Sequence, residues 1–186
     1  MTENCRISNQ SDEKVVEEFQ KGSGKAFELI FDKYYSGIVR YISCMINIKE
    51  EARDIAQEVF LKVHGGLRSY KASGGFKAWI LTIARRTTID HLRKKHPETA
   101  TELSVIDSCL SNCQRVPDNF DFSDDLFMSL NPLQREILSL KFVEELSYQE
   151  ISEITGLPEG KLRKVVCFTL KSLREKEINN DMHKNN

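Results

Sequence analysis

Apolar residues recur along this chain at steps of three and four, and glycine and proline fall at the breaks between the runs. That period is the signature of amphipathic helices, and no stretch alternates in the way a strand does. Ser11-Asp12 opens a short helix carrying Val15, Val16 and Phe19, and Gly22-Ser23-Gly24 ends it. A long helix follows, with Phe27, Ile30, Phe31, Tyr34, Ile38, Tyr41, Ile42 and Met45 on its apolar side. Asn47 is expected to open a third, striped by Ala52, Ile55, Ala56, Val59, Phe60 and Val63, and Gly65-Gly66 to stop it. A loop from Leu67 to Gly75 then leads into a fourth helix, from Phe76 to about Lys95.

The pattern breaks at Pro97, and a polar stretch containing Pro117 reads as a linker. Beyond it, Asn131-Pro132 caps a helix with Leu133, Ile137, Leu138 and Leu140. Ser147 caps a short helix with Ile151 and Ile154. Thr155-Gly156-Leu157 makes a tight turn, and Pro158 sits at the first position of a last helix. That helix carries Leu162, Val165, Val166, Phe168, Leu170 and Leu173. The expected architecture is all-α: two small helical domains joined by a flexible linker. Residues 1–10 form an N-terminal tail, 11–96 the first domain, 97–122 the linker, 123–178 the second domain and 179–186 a disordered tail.

Composition changes this picture little. With 40% hydrophobic and 30% charged residues among 186, the chain is neither disordered nor membranous. No apolar run reaches the ~18 residues that a bilayer span needs. The N-terminus lacks a signal-peptide pattern, so a cytoplasmic location is expected. The five cysteines form no dense framework, and free thiols are the expectation. A formal net charge of −1 argues against a polyanion binder only as an average, because the charges are strongly segregated.

The basic blocks carry the candidate chemistry. The segment Leu146–Leu173 reads as a helix-turn-helix: a capped short helix, a turn containing glycine, and a second helix with Lys161, Arg163 and Lys164 near its start. Those three are placed to meet base edges or phosphates, and Lys171 and Arg174 to meet the backbone further along. The plainer alternative is a helical hairpin with a solvated basic face. In the fourth helix Arg85, Arg86, Arg93, Lys94 and Lys95 face one acid, Asp90, and Tyr70, Lys71, Phe76 and Trp79 lie beside or within the block. Rings next to cations suit single-stranded nucleic acid, and a deformable loop suits an unstacked base. For Trp79 core packing outweighs stacking on a base; Tyr70 and the loop are the better candidates for direct contact. Acids gather at Glu50, Glu51, Asp54 and Glu58 and at Asp118, Asp121, Asp124 and Asp125, as solvated faces or as docking patches.

With these residues assembled, the chain resembles the extracytoplasmic-function (ECF) sigma factors of the sigma-70 family. Ala52 through Val63 resembles region 2.2 of that family. Phe76-Lys77-Ala78-Trp79-Ile80 through Arg85, with Asp90-His91-Leu92-Arg93, resembles regions 2.3 and 2.4. Leu130 through Leu173 resembles region 4. The resemblance implies a non-enzymatic RNA polymerase subunit that directs promoter-specific initiation. It implies docking on the β′ clamp helices through Asp54, Gln57, Glu58 and Lys62. It further implies opening and reading of a −10 element through Tyr70, Lys71, Trp79, Arg85, Arg86, Arg93 and Lys94, and reading of a −35 element through Lys161, Arg163, Lys164, Lys171 and Arg174. The implied partners are core polymerase, through the β′ clamp helices and the β flap, promoter DNA and an anti-sigma factor. No cofactor, small-molecule substrate or membrane insertion is implied.

Two departures from the family pattern stand out. Arg86 replaces the usual asparagine, which leaves the −10 base preference open. Val165 and Phe168 replace basic residues common in the last helix, which predicts weaker −35 binding or an extra apolar surface for a partner. Two rival readings fit the sequence less well. A one-component or response regulator needs a sensor or receiver domain, and the first unit lacks the alternating strands. An enzyme needs a catalytic motif, and His64, His91, His96 and His183 are scattered, His91 and His96 reading more simply as surface members of the basic helix. Cys109 and Cys113, four apart in the linker, leave a redox or zinc role with His96 as a variant.

Overall fold

The structure, a computed structural model, describes residues 11–46, 48–71, 75–95, 127 and 129–184. The expectations for Asn47, His96, the linker with Cys109 and Cys113, and the acids at 118, 121, 124 and 125 lie outside the described residues. Helices make up the described fold: α1 (Asp12–Gln20), α2 (Gly24–Met45), α3 (Lys49–Leu67), α4 (Phe76–Lys95), α5 (Pro132–Leu138), α6 (Tyr148–Thr155) and α7 (Glu159–Lys184). The chain divides into two compact units, Met1–His91 and Leu92–Asn186, so the division falls within α4.

In the first unit α1, α2 and α3 pack on one another around the residues the periodicity selects. Val15, Val16, Phe19, Ile30, Ile38, Tyr41, Ile42, Met45, Ile55, Val59 and Val63 are all buried. Phe27 and Phe31 are only half-buried. They lie at the rim of the bundle, where both rings meet Phe60 edge-on, at 6.5 and 4.9 Å between centroids. Ser11 occupies the N-cap of α1 without a side-chain bond. The first turn is tied down instead by Asp12, which accepts 2.6 Å hydrogen bonds from Lys33 Nζ and Tyr34 Oη. Burial, reinforced by that carboxylate, pushes the Tyr34 phenol far above its ordinary range, so it remains a donor to Asp12.

Gly65-Gly66 does not stop α3, which continues to Leu67. The second glycine has a packing reason: a Cβ there would lie 3.1 Å from Trp79 Cζ2. At Gly65 an added Cβ meets nothing within 4 Å. The two should therefore respond oppositely. Gly65→Ala is expected to stabilise the first unit by up to about 1 kcal/mol through helix propensity. Gly66→Leu is expected to destabilise it by about 1–3 kcal/mol through overpacking against the indole. Urea titration of both variants checks this; equal responses would show that Trp79 does not fix the site.

The second unit follows its sequence signals closely. Asn131 and Gln134 form a reciprocal capping box at α5, and Ser147 and Glu150 another at α6. A π-helical turn, Ser139–Val143, continues α5, and Glu145 after it takes a left-handed φ of 57°, a conformation that costs a residue with a Cβ. Gly156 ends α6 at φ 75°, as the turn requires. Pro158 lies one residue ahead of α7, and its carbonyl accepts from the amides of Lys161 and Leu162. α7 runs past Asn179 to Lys184, beyond the expected start of a disordered tail. The expectation of free thiols holds for Cys44 and fails at Cys167, which is disulfide-bonded.

Candidate functional site

Three surfaces on these helices bear the predicted residues. The first is α4. Its inner side buries Phe76, Ile80, Leu81, Ala84, Thr87, Thr88 and Leu92, which leaves the cations outward. Arg86, Arg93 and Lys94 are exposed and Arg85 is half-buried. Arg86 and Arg93 stand two turns apart and so share a face. Lys71 is exposed just ahead of the helix. His91, expected at the surface, is half-buried and meets Glu51 Oε1 at 2.8 Å, which ties α4 to α3 and removes Glu51 from a purely solvated acidic face.

Tyr70 and Trp79 belong to one aromatic cluster with Phe76. Their centroids are 4.8 Å apart, and Phe76 lies 5.3 Å from Tyr70 and 5.6 Å from Trp79. Both are half-buried. Core packing is thus visible for Trp79, as the spacing suggested, and it extends to Tyr70, whose hydroxyl is buried and finds no hydrogen-bond partner among the described residues. Burial, with Glu13 and Asp12 nearby, raises the Tyr70 phenol above its ordinary value.

The second surface is the outer side of α3. Asp54, Gln57 and Glu58 are exposed together at helical spacing. Lys62 is drawn sideways, 2.8 Å from Glu58 Oε1 and 3.2 Å from Thr87 Oγ1 of α4. Leu61, absent from the expected docking residues, is 76% exposed on the same side. The signal for it was available: Val59, Phe60 and Val63 fill the buried stripe, and Leu61 falls out of phase with them.

The third surface is the start of α7. Lys164, Lys171 and Arg174 are exposed, and Lys161 is half-buried. Arg163 is exposed but restrained: it donates to Glu159 Oε2 at 2.7 Å and lies over the Tyr148 ring, 4.4 Å from its centroid. Lys141 Nζ approaches the same ring at 4.9 Å. Burial raises the Tyr148 phenol, and the Arg163 charge partly opposes that. The stack holds the guanidinium fork in one orientation, which lowers the entropy lost on contact. Val165 is buried, at 6% exposure, so it supplies no extra apolar surface; Phe168 is half-buried. Sequence reasoning missed Lys141 and Tyr148, because ring-over-cation contacts across a turn have no fixed spacing.

A pair of substitutions separates reading from attraction here. On the −35 role that the resemblance implies, with Arg163 at a base edge and Lys164 at a phosphate, Arg163→Ala is expected to cost binding about 1–3 kcal/mol and to relax base preference, whereas Lys164→Ala weakens all sequences alike and lowers the salt slope by about 1. Salt titrations of holoenzyme binding on matched and scrambled −35 sites provide the check; identical behaviour of the two variants contradicts it.

Among the described residues no group of three or more His, Cys, Asp or Glu is arranged to hold a metal, and no helix is long and apolar enough to cross a membrane.

Comparison with known proteins identifies the family of the chain. Residues 30–97 match the model of sigma-70 region 2, and residues 124–173 that of sigma-70 region 4. The chain is 30% identical over 177 residues to the ECF RNA polymerase sigma factor SigW of Bacillus subtilis, covering 87% of this chain and 94% of that protein. It is 27% identical over 172 residues to the RNA polymerase sigma-H factor of Pseudomonas aeruginosa, covering 84% and 89%. Its fold is similar to that of the sigma factor RpoE from Bartonella quintana, solved in complex with the anti-sigma factor NepR, with a TM-score of 0.62 and 21% identity over 81% of this chain and 96% of that one. The chain belongs to the ECF RNA polymerase sigma factors of the sigma-70 family, non-enzymatic subunits for promoter-directed transcription initiation.

Proposed function

We propose that the two units divide the work of initiation between them. The first docks on the β′ clamp helices of core polymerase through Asp54, Gln57, Glu58 and Leu61 of α3, with Lys62 positioning Glu58. The −10 element is opened and read by Lys71, next to Tyr70 of the aromatic cluster, and by Arg85, Arg86, Arg93 and Lys94 along α4, whose last residues fall past the division between the units. The second unit places the start of α7 in the major groove of a −35 element, with Arg163 reading bases and Lys161, Lys164, Lys171 and Arg174 holding phosphates. The observation that carries this division is the outer side of α3, where an apolar knob at Leu61 stands beside exposed polar and acidic groups that the bundle leaves uncovered. Such a face suits a partner protein, whereas α4 presents cations suited to DNA.

The site of action is the cytoplasm, where promoter DNA and polymerase meet. An anti-sigma factor that covers these faces is the expected regulator; the complex of the structurally similar RpoE with NepR supports that reading. The test is in vitro transcription with core polymerase and a promoter library. Initiation from a discrete set of sequences, dependent on this chain, is the expected result. Initiation no different from core alone, with folded protein, overturns the proposal.

A further inference from the structure

The end of α3 is held by a residue from outside the region-2 match. Gln20, the last residue of α1, donates from Nε2 to the carbonyl oxygens of Leu67, at 3.1 Å, and Tyr70, at 3.0 Å. Leu67 is the final residue of α3, so its carbonyl is among those a helix end leaves unpaired within the helix. Its local partner is distant: the Tyr70 amide reaches it at 3.4 Å. A single amide group from another helix therefore bridges the last turn of α3 and the first residues of the connection that leads to α4. Tyr70 is gripped from both ends, its carbonyl by Gln20 and its ring by Phe76 and Trp79. At the other end of α1, Asp12 fixes Tyr34, whose ring meets Phe76 at 5.6 Å. α1 thus braces the cluster at two points, although it precedes residue 30, where the region-2 match begins.

We infer that Gln20 is a positioning residue for promoter opening: it fixes Leu67–Tyr70 so that the aromatic cluster and the adjoining cations stay in register with the −10 duplex. The inference rests on the proposal that the first unit opens that element. Gln20 itself is not a DNA contact. It acts by holding the backbone of a segment that must not yield while the duplex strands separate.

The donor is what matters, so the decisive variant is Gln20→Glu, which keeps size and shape but presents only acceptors to two carbonyls. Gln20→Leu removes the donor without adding charge. Holoenzyme is assembled from each full-length variant and core polymerase on a promoter recovered from the library. Strand opening is followed by a fluorescent base analogue in the −10 element over a range of promoter concentrations. Expected for both variants is a maximal opening rate about five- to tenfold lower, the size of one or two lost hydrogen bonds, with the half-saturating promoter concentration unchanged. Hydrogen exchange at the Ser69 and Tyr70 amides is expected to quicken while α2 remains protected. Opening at the wild-type rate, or parallel losses in rate and half-saturation, overturns the inference. If wild-type holoenzyme opens no duplex from the library, the underlying reading of the first unit fails instead.

Discussion

Replacement of Phe76 by alanine is expected to remove about 3–5 kcal/mol from the stability of the first unit, the largest loss foreseen for a single side chain here. Phe76 is 2% exposed at the first residue of α4. Its ring meets Tyr34 from α2 at 5.6 Å, Tyr70 from the connection at 5.3 Å and Trp79 from its own helix at 5.6 Å. The substitution therefore removes the common neighbour of three aromatic rings, and none of them can close the gap without leaving another contact. Gly66 is already filled by the indole, which leaves Trp79 little freedom on that side. Because native domains are stable by only about 5–15 kcal/mol, most of the margin disappears. Differential scanning calorimetry should show the transition of the first unit falling by about 15 °C or more. Phe76→Leu, which retains most of the volume, should cost far less. A loss below about 1 kcal/mol for the alanine variant would mean that the cluster is an exposed surface and not a core.

That cluster also marks the limit of what was legible in the sequence. The helices and their buried stripes follow from apolar period and capping chemistry, both local in the chain. The Asn131–Gln134 and Ser147–Glu150 boxes and the left-handed Gly156 formed as their residue types dictate. Gly65-Gly66 misled, since a glycine pair reads as a helix stop unless the ring that needs the space is known, and Trp79 lies thirteen positions further on. His91 read as a surface residue because its partner, Glu51, is forty positions away. The site divides in the same manner. Exposed cations on α4 and α7 were recognisable as charge blocks. Long-range ties such as Gln20 to Leu67, or Arg163 over Tyr148, depend on tertiary packing that no periodicity encodes. Pattern locates the surfaces, and packing decides which residues on them are free to act.

Among the described residues the most exposed large apolar side chain is Leu61, and Leu61→Asp is expected to weaken binding to core polymerase by about 30-fold or more while the fold survives. At 76% exposure the leucine contributes little to the bundle, so the stability change should stay near the few tenths of a kcal/mol that separate leucine from aspartate in helix propensity. An exposed leucine at the centre of a polar rim has the character of an interface anchor, and loss of an anchor costs roughly 2 kcal/mol or more of binding. Aspartate adds a second penalty, because it places a carboxylate where an apolar pocket on the partner must lose its water. The neighbouring acids should matter differently. Asp54→Asn and Gln57→Ala lie around the knob and are expected to change affinity less, and Asp54→Asn mainly at low salt, as rim charges do. Lys62→Met should act through Glu58, which loses its 2.8 Å partner and gains freedom, so its effect should vanish in a Glu58→Gln background. Equilibrium titration of labelled core polymerase with each full-length variant, paired with a thermal melt, separates docking from folding. If Leu61→Asp binds core as tightly as the parent, the outer side of α3 is not the docking face, and another surface of the first unit must carry polymerase.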